Sequence, residues 1–150
     1  MRNRIGSSSP NAMPRILLIE EEQNLRYSMA LMLKQAGCVV NLIGGVMEAA
    51  ALLKKNQGGQ DAFDLFIVDL GDASGEACRG LVEWFDGEGI LVPYLVLVED
   101  VGDRAGEYLT ENGCLACISK PFEPSTLLNA VCRAIGREWI MDQSGVASWR

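Results

Sequence analysis

The chain has 150 residues, 49% apolar and 22% charged, proportions that suit one globular domain with a core of its own. Its net charge of −7 argues against nonspecific binding to nucleic acid or to an anionic membrane surface. No apolar stretch is long enough to span a bilayer and the N-terminus does not read as a signal peptide, so cytoplasmic residence is expected.

Residues 1–14 are polar, with an aperiodic Ser7-Ser8-Ser9-Pro10, and read as a flexible leader. An upstream extension and a cloning remnant are both open origins for it. Arg15 to Ile19 reads as the first strand. Leu25, Met29, Met32, Leu33 and Ala36 then recur at helical spacing, and Gly37 suits a helix C-terminus. Cys38 to Ile43 is a second strand, and Gly44-Gly45 a turn. Val46, Ala49, Ala50 and Leu53 stripe a second helix, whose last turn holds Lys54 and Lys55 against the helix dipole. Gln57 to Asp61 reads as a loop.

Leu65 to Val68 is apolar on both faces, as a central parallel strand should be. Gly71 to Gly75 is a polar loop before a third helix carrying Ala77, Leu81 and Phe85. Leu91 to Val98 reads as strand four, with Pro93 near its start. Val101, Ala105, Tyr108 and Leu109 stripe a fourth helix that Gly113 ends, and Leu115 to Ile118 is strand five. Pro124 fits the first turn of a last helix, with Leu127, Leu128, Val131 and Ile135 facing inward. Five strands alternating with five helices predict a doubly wound, five-stranded parallel sheet with helices on both faces. Residues 1–14, 15–137 and 138–150 are then leader, domain and C-terminal extension. Two readings of the extension stay open: packing back on the domain, or leading toward a partner or another domain.

The chain has no histidine, which removes Ser-His-Asp and Cys-His catalysis and most catalytic zinc sites. It also cannot itself carry phosphohistidine. The five cysteines sit mostly in apolar segments and suit a reducing compartment. Cys114-Leu115-Ala116-Cys117 spells C-x-x-C, but it lies on or beside a strand with its thiols expected on opposite faces. Core packing is the preferred reading.

The chemistry gathers at three strand ends. Glu20-Glu21-Glu22 follows strand one, Asp69 closes strand three, and Ser119-Lys120-Pro121-Phe122 closes strand five. Open α/β sheets form ligand sites just beyond such carboxyl ends. Clustered carboxylates make a hard oxygen site of the kind Mg²⁺ accepts, with several waters retained. A carboxylate beside it is a nucleophile toward phosphorus, and a lysine across it neutralises phosphoryl oxygens.

The order and types of these residues resemble the receiver domain of two-component response regulators. The resemblance spans about Pro14 to Arg137 and rests on Ile16-Leu17-Leu18-Ile19-Glu20-Glu21-Glu22, Asp64-Leu65-Phe66-Ile67-Val68-Asp69-Leu70 and Ser119-Lys120-Pro121-Phe122. It implies a flavodoxin-like fold that takes phosphate from a histidine kinase or phosphotransfer protein onto an aspartate. Asp69 would be the acceptor and Lys120 would bind the phosphoryl group. Glu21 would ligate Mg²⁺ directly, Glu20 through water, and Gly71 through its backbone carbonyl.

Four features depart from that family. The acidic pair is Glu20-Glu21 where aspartates are usual, which shifts or weakens the metal site. The end of strand four has Val98 and Glu99 where a hydroxyl residue and a small residue are expected. Glu99 would add like charge beside an incoming dianion unless it turns to solvent. Cys117 occupies the aromatic switch position. The loop from Leu70 to Gly75 lacks the usual Met-Pro step, and its Asp72 reads as a turn former more readily than a metal ligand.

The expected function is therefore a phosphoryl-accepting receiver with nonstandard switch residues. The alternative is a receiver-like interaction module that works without phosphorylation. A flavin or nucleotide enzyme fits poorly, because G-x-G-x-x-G and a P-loop lysine pattern are absent. A downstream protein partner, or an effector domain outside this sequence, would carry the output. A homodimer through the fourth and fifth helices is left open.

Overall fold

The computed structural model describes residues 12–55, 59–71, 74–99 and 103–150. Expectations for residues 1–11 and for Gln57, Asp72 and Val101 lie outside these. The elements run β1 (Arg15–Ile19), α1 (Gln23–Gln35), β2 (Val39–Ile43), α2 (Val46–Lys55), a short 3₁₀ turn (Gly59–Ala62), β3 (Leu65–Gly71) and α3 (Gly75–Gly87). Then come β4 (Tyr94–Val98), α4 (Asp103–Glu111), β5 (Ala116–Ser119), α5 (Pro124–Ile135), β6 (Trp139–Met141) and β7 (Ala147–Trp149). The first five strands form one parallel sheet in the order β2-β1-β3-β4-β5. The doubly wound expectation holds.

Strand alternation splits the core into two layers. Leu17, Phe66, Val68, Val96 and Val98 face the layer that contains Ala49, Leu81, Phe85 and Leu109 of α2, α3 and α4. Ile16, Leu18, Leu65, Ile67 and Leu97 face the other, with Met29 and Leu33 of α1 and Leu127 and Val131 of α5. Phe66, Phe85 and Tyr94 join in the first layer, Phe85 stacked on Tyr94 with ring centroids 3.9 Å apart. The order reverses at β1 and β3, so a crevice opens at their carboxyl ends.

Three expectations change. Strand four begins at Tyr94, because Gln60 Oε1 accepts the N–H groups of Leu91 and Val92 at 2.6 and 3.3 Å and Pro93 has none to give. β3 runs to Gly71 because a bulge between Asp69 and Gly71 lets its pairing with β4 resume, so Gly71 belongs to a strand and not to the loop. Cys114 and Cys117 share one apolar layer instead of facing apart, since Cys114 precedes β5 and escapes strand alternation. Burial pushes Cys114 up to about 12 and raises Cys117, so neither is a ready thiolate.

The extension packs back. Its antiparallel hairpin pairs Trp139 with Trp149 and is closed by Asp142, whose Oδ1 accepts from Ser144 N, Ser144 Oγ and Val146 N. Trp149 is buried in the layer shared with α1 and α5.

Candidate functional site at the strand tips

Three adjacent glutamates leave β1 in three different environments. Glu20 is buried, with Oε1 accepting the N–H of Glu22 at 3.0 Å. Glu21 is exposed. Glu22 caps α1, its carboxylate accepting from Asn24 N at 3.2 Å and Leu25 N at 2.6 Å.

Asp69 ends the regular part of β3, and both of its oxygens are engaged. Oδ2 lies 2.6 Å from Lys120 Nζ, and Oδ1 accepts the N–H of Gly71 at 2.8 Å. The second bond requires the bulge, and Gly71 supplies the positive φ of 63° at that place without a side-chain penalty. Lys120 reaches across from the end of β5, where its N–H bonds Val98 O at 2.8 Å. The Asp69 side chain is 1% exposed and that of Lys120 16%, so the pair is partly buried and reached by water from the lysine side.

Glu20 faces this pair. Burial first, and then its hydrogen-bonding contact with Asp69, push the Glu20 carboxyl up to about 7. Two carboxylates share a hydrogen bond only when one holds a proton, and as ions they leave Glu20 Oε2 without a donor. A proton or a cation relieves that repulsion. Two carboxylates with water completing the shell fit Mg²⁺, which is commonly held in this way.

The other expected site residues fall at varying distances from this centre. Glu21 points to solvent, and among the described residues no three acidic or thiol side chains gather as metal ligands. The Gly71 carbonyl accepts Glu99 N–H at 2.8 Å, leaving one lone pair for anything else. Val98 is fully buried, Cys117 packs against the same layer, and Glu99 is exposed. The Gly71 amide is the contributor that sequence reading missed. Its signal was a glycine two residues after a strand-end aspartate, the spacing of an Asx-type turn.

No family model matches the sequence, and a search of curated proteins returns no match. Solved structures do match. A response regulator from Thermotoga maritima superposes with a TM-score of 0.69 at 22% identity, over 83% of this chain and 98% of that one. Chemotaxis protein CheY4 of Vibrio cholerae gives 0.66 at 22% identity, covering 82% and 99%. The chain has the receiver-domain fold. The receiver fold extends to HP1043, an orphan response regulator of H. pylori, at a TM-score of 0.66 and 18% identity over 84% of this chain and 99% of that one. The sheet order β2-β1-β3-β4-β5 of this chain matches that fold, and its acidic crevice lies at the ends of β1 and β3. Among the described residues no helix is long and apolar enough to cross a membrane.

Proposed function

We propose that this receiver fold accepts a phosphoryl group on Asp69 from a histidine kinase or a phosphotransfer protein and passes the change to a protein partner or an attached effector. The supporting observation is the buried Asp69–Lys120 pair at 2.6 Å with Glu20 beside it. A structural ion pair alone gives no reason to place a second buried carboxylate against the first.

In the proposed step an Asp69 oxygen attacks phosphorus, and the phosphorus–nitrogen bond of the donor phosphohistidine breaks. The bond electrons leave with the imidazole, which is released neutral once protonated. Lys120 holds the acceptor carboxylate in place and then shifts its ammonium to the phosphoryl oxygens, stabilising the charge that arrives. The Gly71 amide fixes the other carboxylate oxygen and so orients the attacking one. Mg²⁺, held by Glu20 and Asp69 with water, would neutralise the like charges that meet as donor and acceptor approach. Glu21, expected from sequence as the direct ligand, is exposed, so in this reading Glu20 takes the nearer place and Glu21 would contribute through water.

One observation favours the interaction-module alternative. Val98 and Cys117 fill the switch positions with apolar packing, so those two positions offer a phosphoryl group no hydroxyl. Incubation with acetyl phosphate and Mg²⁺, read by intact mass, separates the two. The phosphoacceptor reading requires one added phosphoryl group, lost in Asp69→Asn. An unchanged mass under conditions that modify a common receiver rejects it in favour of the interaction module.

A further inference from the structure

The two sides of Asp69 respond differently to added charge. Toward α4 the switch positions hold Val98, fully buried, and Cys117, side chains with neither charge nor hydroxyl for a phosphoryl group to pull, and the charged or hydroxyl residues described at the same strand tips, Glu99 and Ser119, are exposed. Toward the opposite layer the two charged side chains described against Asp69, Lys120 and Glu20, lie at the roots of helices. Lys120 leads through Pro121 into α5, which starts at Pro124. Glu20 holds the N–H of Glu22, the cap of α1. A dianion on Asp69 attracts the first and repels the second, so its force falls on α5 and α1.

The far ends of the same two helices meet at the C-terminal hairpin. Ala36, the C-cap of α1, offers one carbonyl oxygen to two indoles, Trp139 Nε1 at 2.8 Å and Trp149 Nε1 at 2.9 Å. α5 turns into the hairpin at Gly136, in the left-handed region at φ 67°. Arg137 then lies over the Trp149 ring at 6.0 Å and donates to Trp149 O at 3.4 Å. The approach is close: a Cβ built on Gly37 would sit 3.4 Å from Trp149 Nε1. A carbonyl has two lone pairs and serves both indoles, yet either bond survives loss of the other. In the structure both bonds of this latch are made.

Resting on the phosphoacceptor reading, we propose that phosphorylation of Asp69 is reported through α1, α5 and this tryptophan hairpin, and not through α4. Charge at the strand tips moves the helix roots, and the hairpin converts their relative shift into a lost indole bond 13 residues beyond the start of α1. The output surface is accordingly the α1–α5–hairpin side of the domain.

Hydrogen exchange read by mass spectrometry on the full chain tests this, with the intact mass taken from the same acetyl phosphate and Mg²⁺ sample. With the adduct present, exchange in the peptides covering residues 31–38 and 138–150 changes by about fivefold or more, the lower end of usual coupling between sites, while 103–111 stays level. An adduct with the change confined to 103–111, or with no change anywhere, overturns the proposal and leaves the phosphoacceptor reading standing. Absence of the adduct removes both. Trp139→Phe leaves Trp149 in the core and takes away one latch donor. It should accept the phosphoryl group as before with a smaller hairpin response, and an undiminished response overturns the latch.

Discussion

Neighbouring side chains of one type do different work at β1's end, because depth decides what a carboxylate does. Glu20 is buried against Asp69 and its carboxyl is pushed up to about 7, from an ordinary value of 4.5. The folded state therefore binds a proton more tightly than the unfolded chain. That stabilisation is fully present below about 4.5 and is lost as pH rises through about 7. Glu20→Gln should remain stable over this window, so urea midpoints taken from pH 4.5 to 8 should slope downward in the parent and flatten in the variant. Mg²⁺ competes with the same proton, so its affinity should rise with pH across the window, as titration calorimetry would record. Lys120 is the counterpart. Its removal in Lys120→Ala leaves Asp69 buried without its cation and should cost about 3 kcal/mol, measured by urea denaturation.

At the scale of elements, the charged side chains against Asp69 lie toward α1 and α5, while the switch positions toward α4 are apolar. Val98 sits fully buried at the tip of β4 among apolar neighbours. Val98→Thr puts a hydroxyl there with little to bond, and should lower stability by about 1–3 kcal/mol in denaturant. If that hydroxyl finds the phosphoryl group, the cost should shrink in the phosphorylated protein. The hairpin behaves as part of the domain and not as a tail. Trp149 is 3% exposed, and Trp149→Ala should destabilise by about 3–5 kcal/mol, from lost burial and a lost indole bond. An exposed extension would show no such loss.

Over the whole molecule, the apolar runs were legible in sequence because each strand is bounded by residues that cannot continue it. Arg15 to Ile19 matched to the residue, and the helix stripes of α1, α3 and α5 included the buried Met29, Leu33, Leu81, Phe85, Leu127 and Val131, while Leu25 at the start of the first stripe is exposed. The Asp69–Lys120 pairing was legible too, since parallel topology forces strand tips to one edge. What escaped depends on contacts far apart in the chain. Gln60 shortens β4 from 31 residues away, and Trp149 reaches Ala36 across 113. Neither leaves a local pattern. The short β6 and β7 gave no usable period, although Asp142-Gln143-Ser144-Gly145 was a turn signal that marked their hairpin. The split of Glu20, Glu21 and Glu22 into buried, exposed and capping was equally invisible, because identical residues differ only in where the backbone turns.

The central claim is that Asp69 is a nucleophile toward phosphorus and not merely one half of an ion pair. The most direct measurement treats the parent chain, Asp69→Asn and Lys120→Ala with acetyl phosphate and Mg²⁺, reads intact masses, and maps the modified residue after borohydride reduction of the acyl phosphate. The account predicts one phosphoryl group on the parent, located at Asp69, none on Asp69→Asn, and a slowed or absent reaction in Lys120→Ala. An unmodified parent, or a phosphoryl group on any other residue, would contradict it.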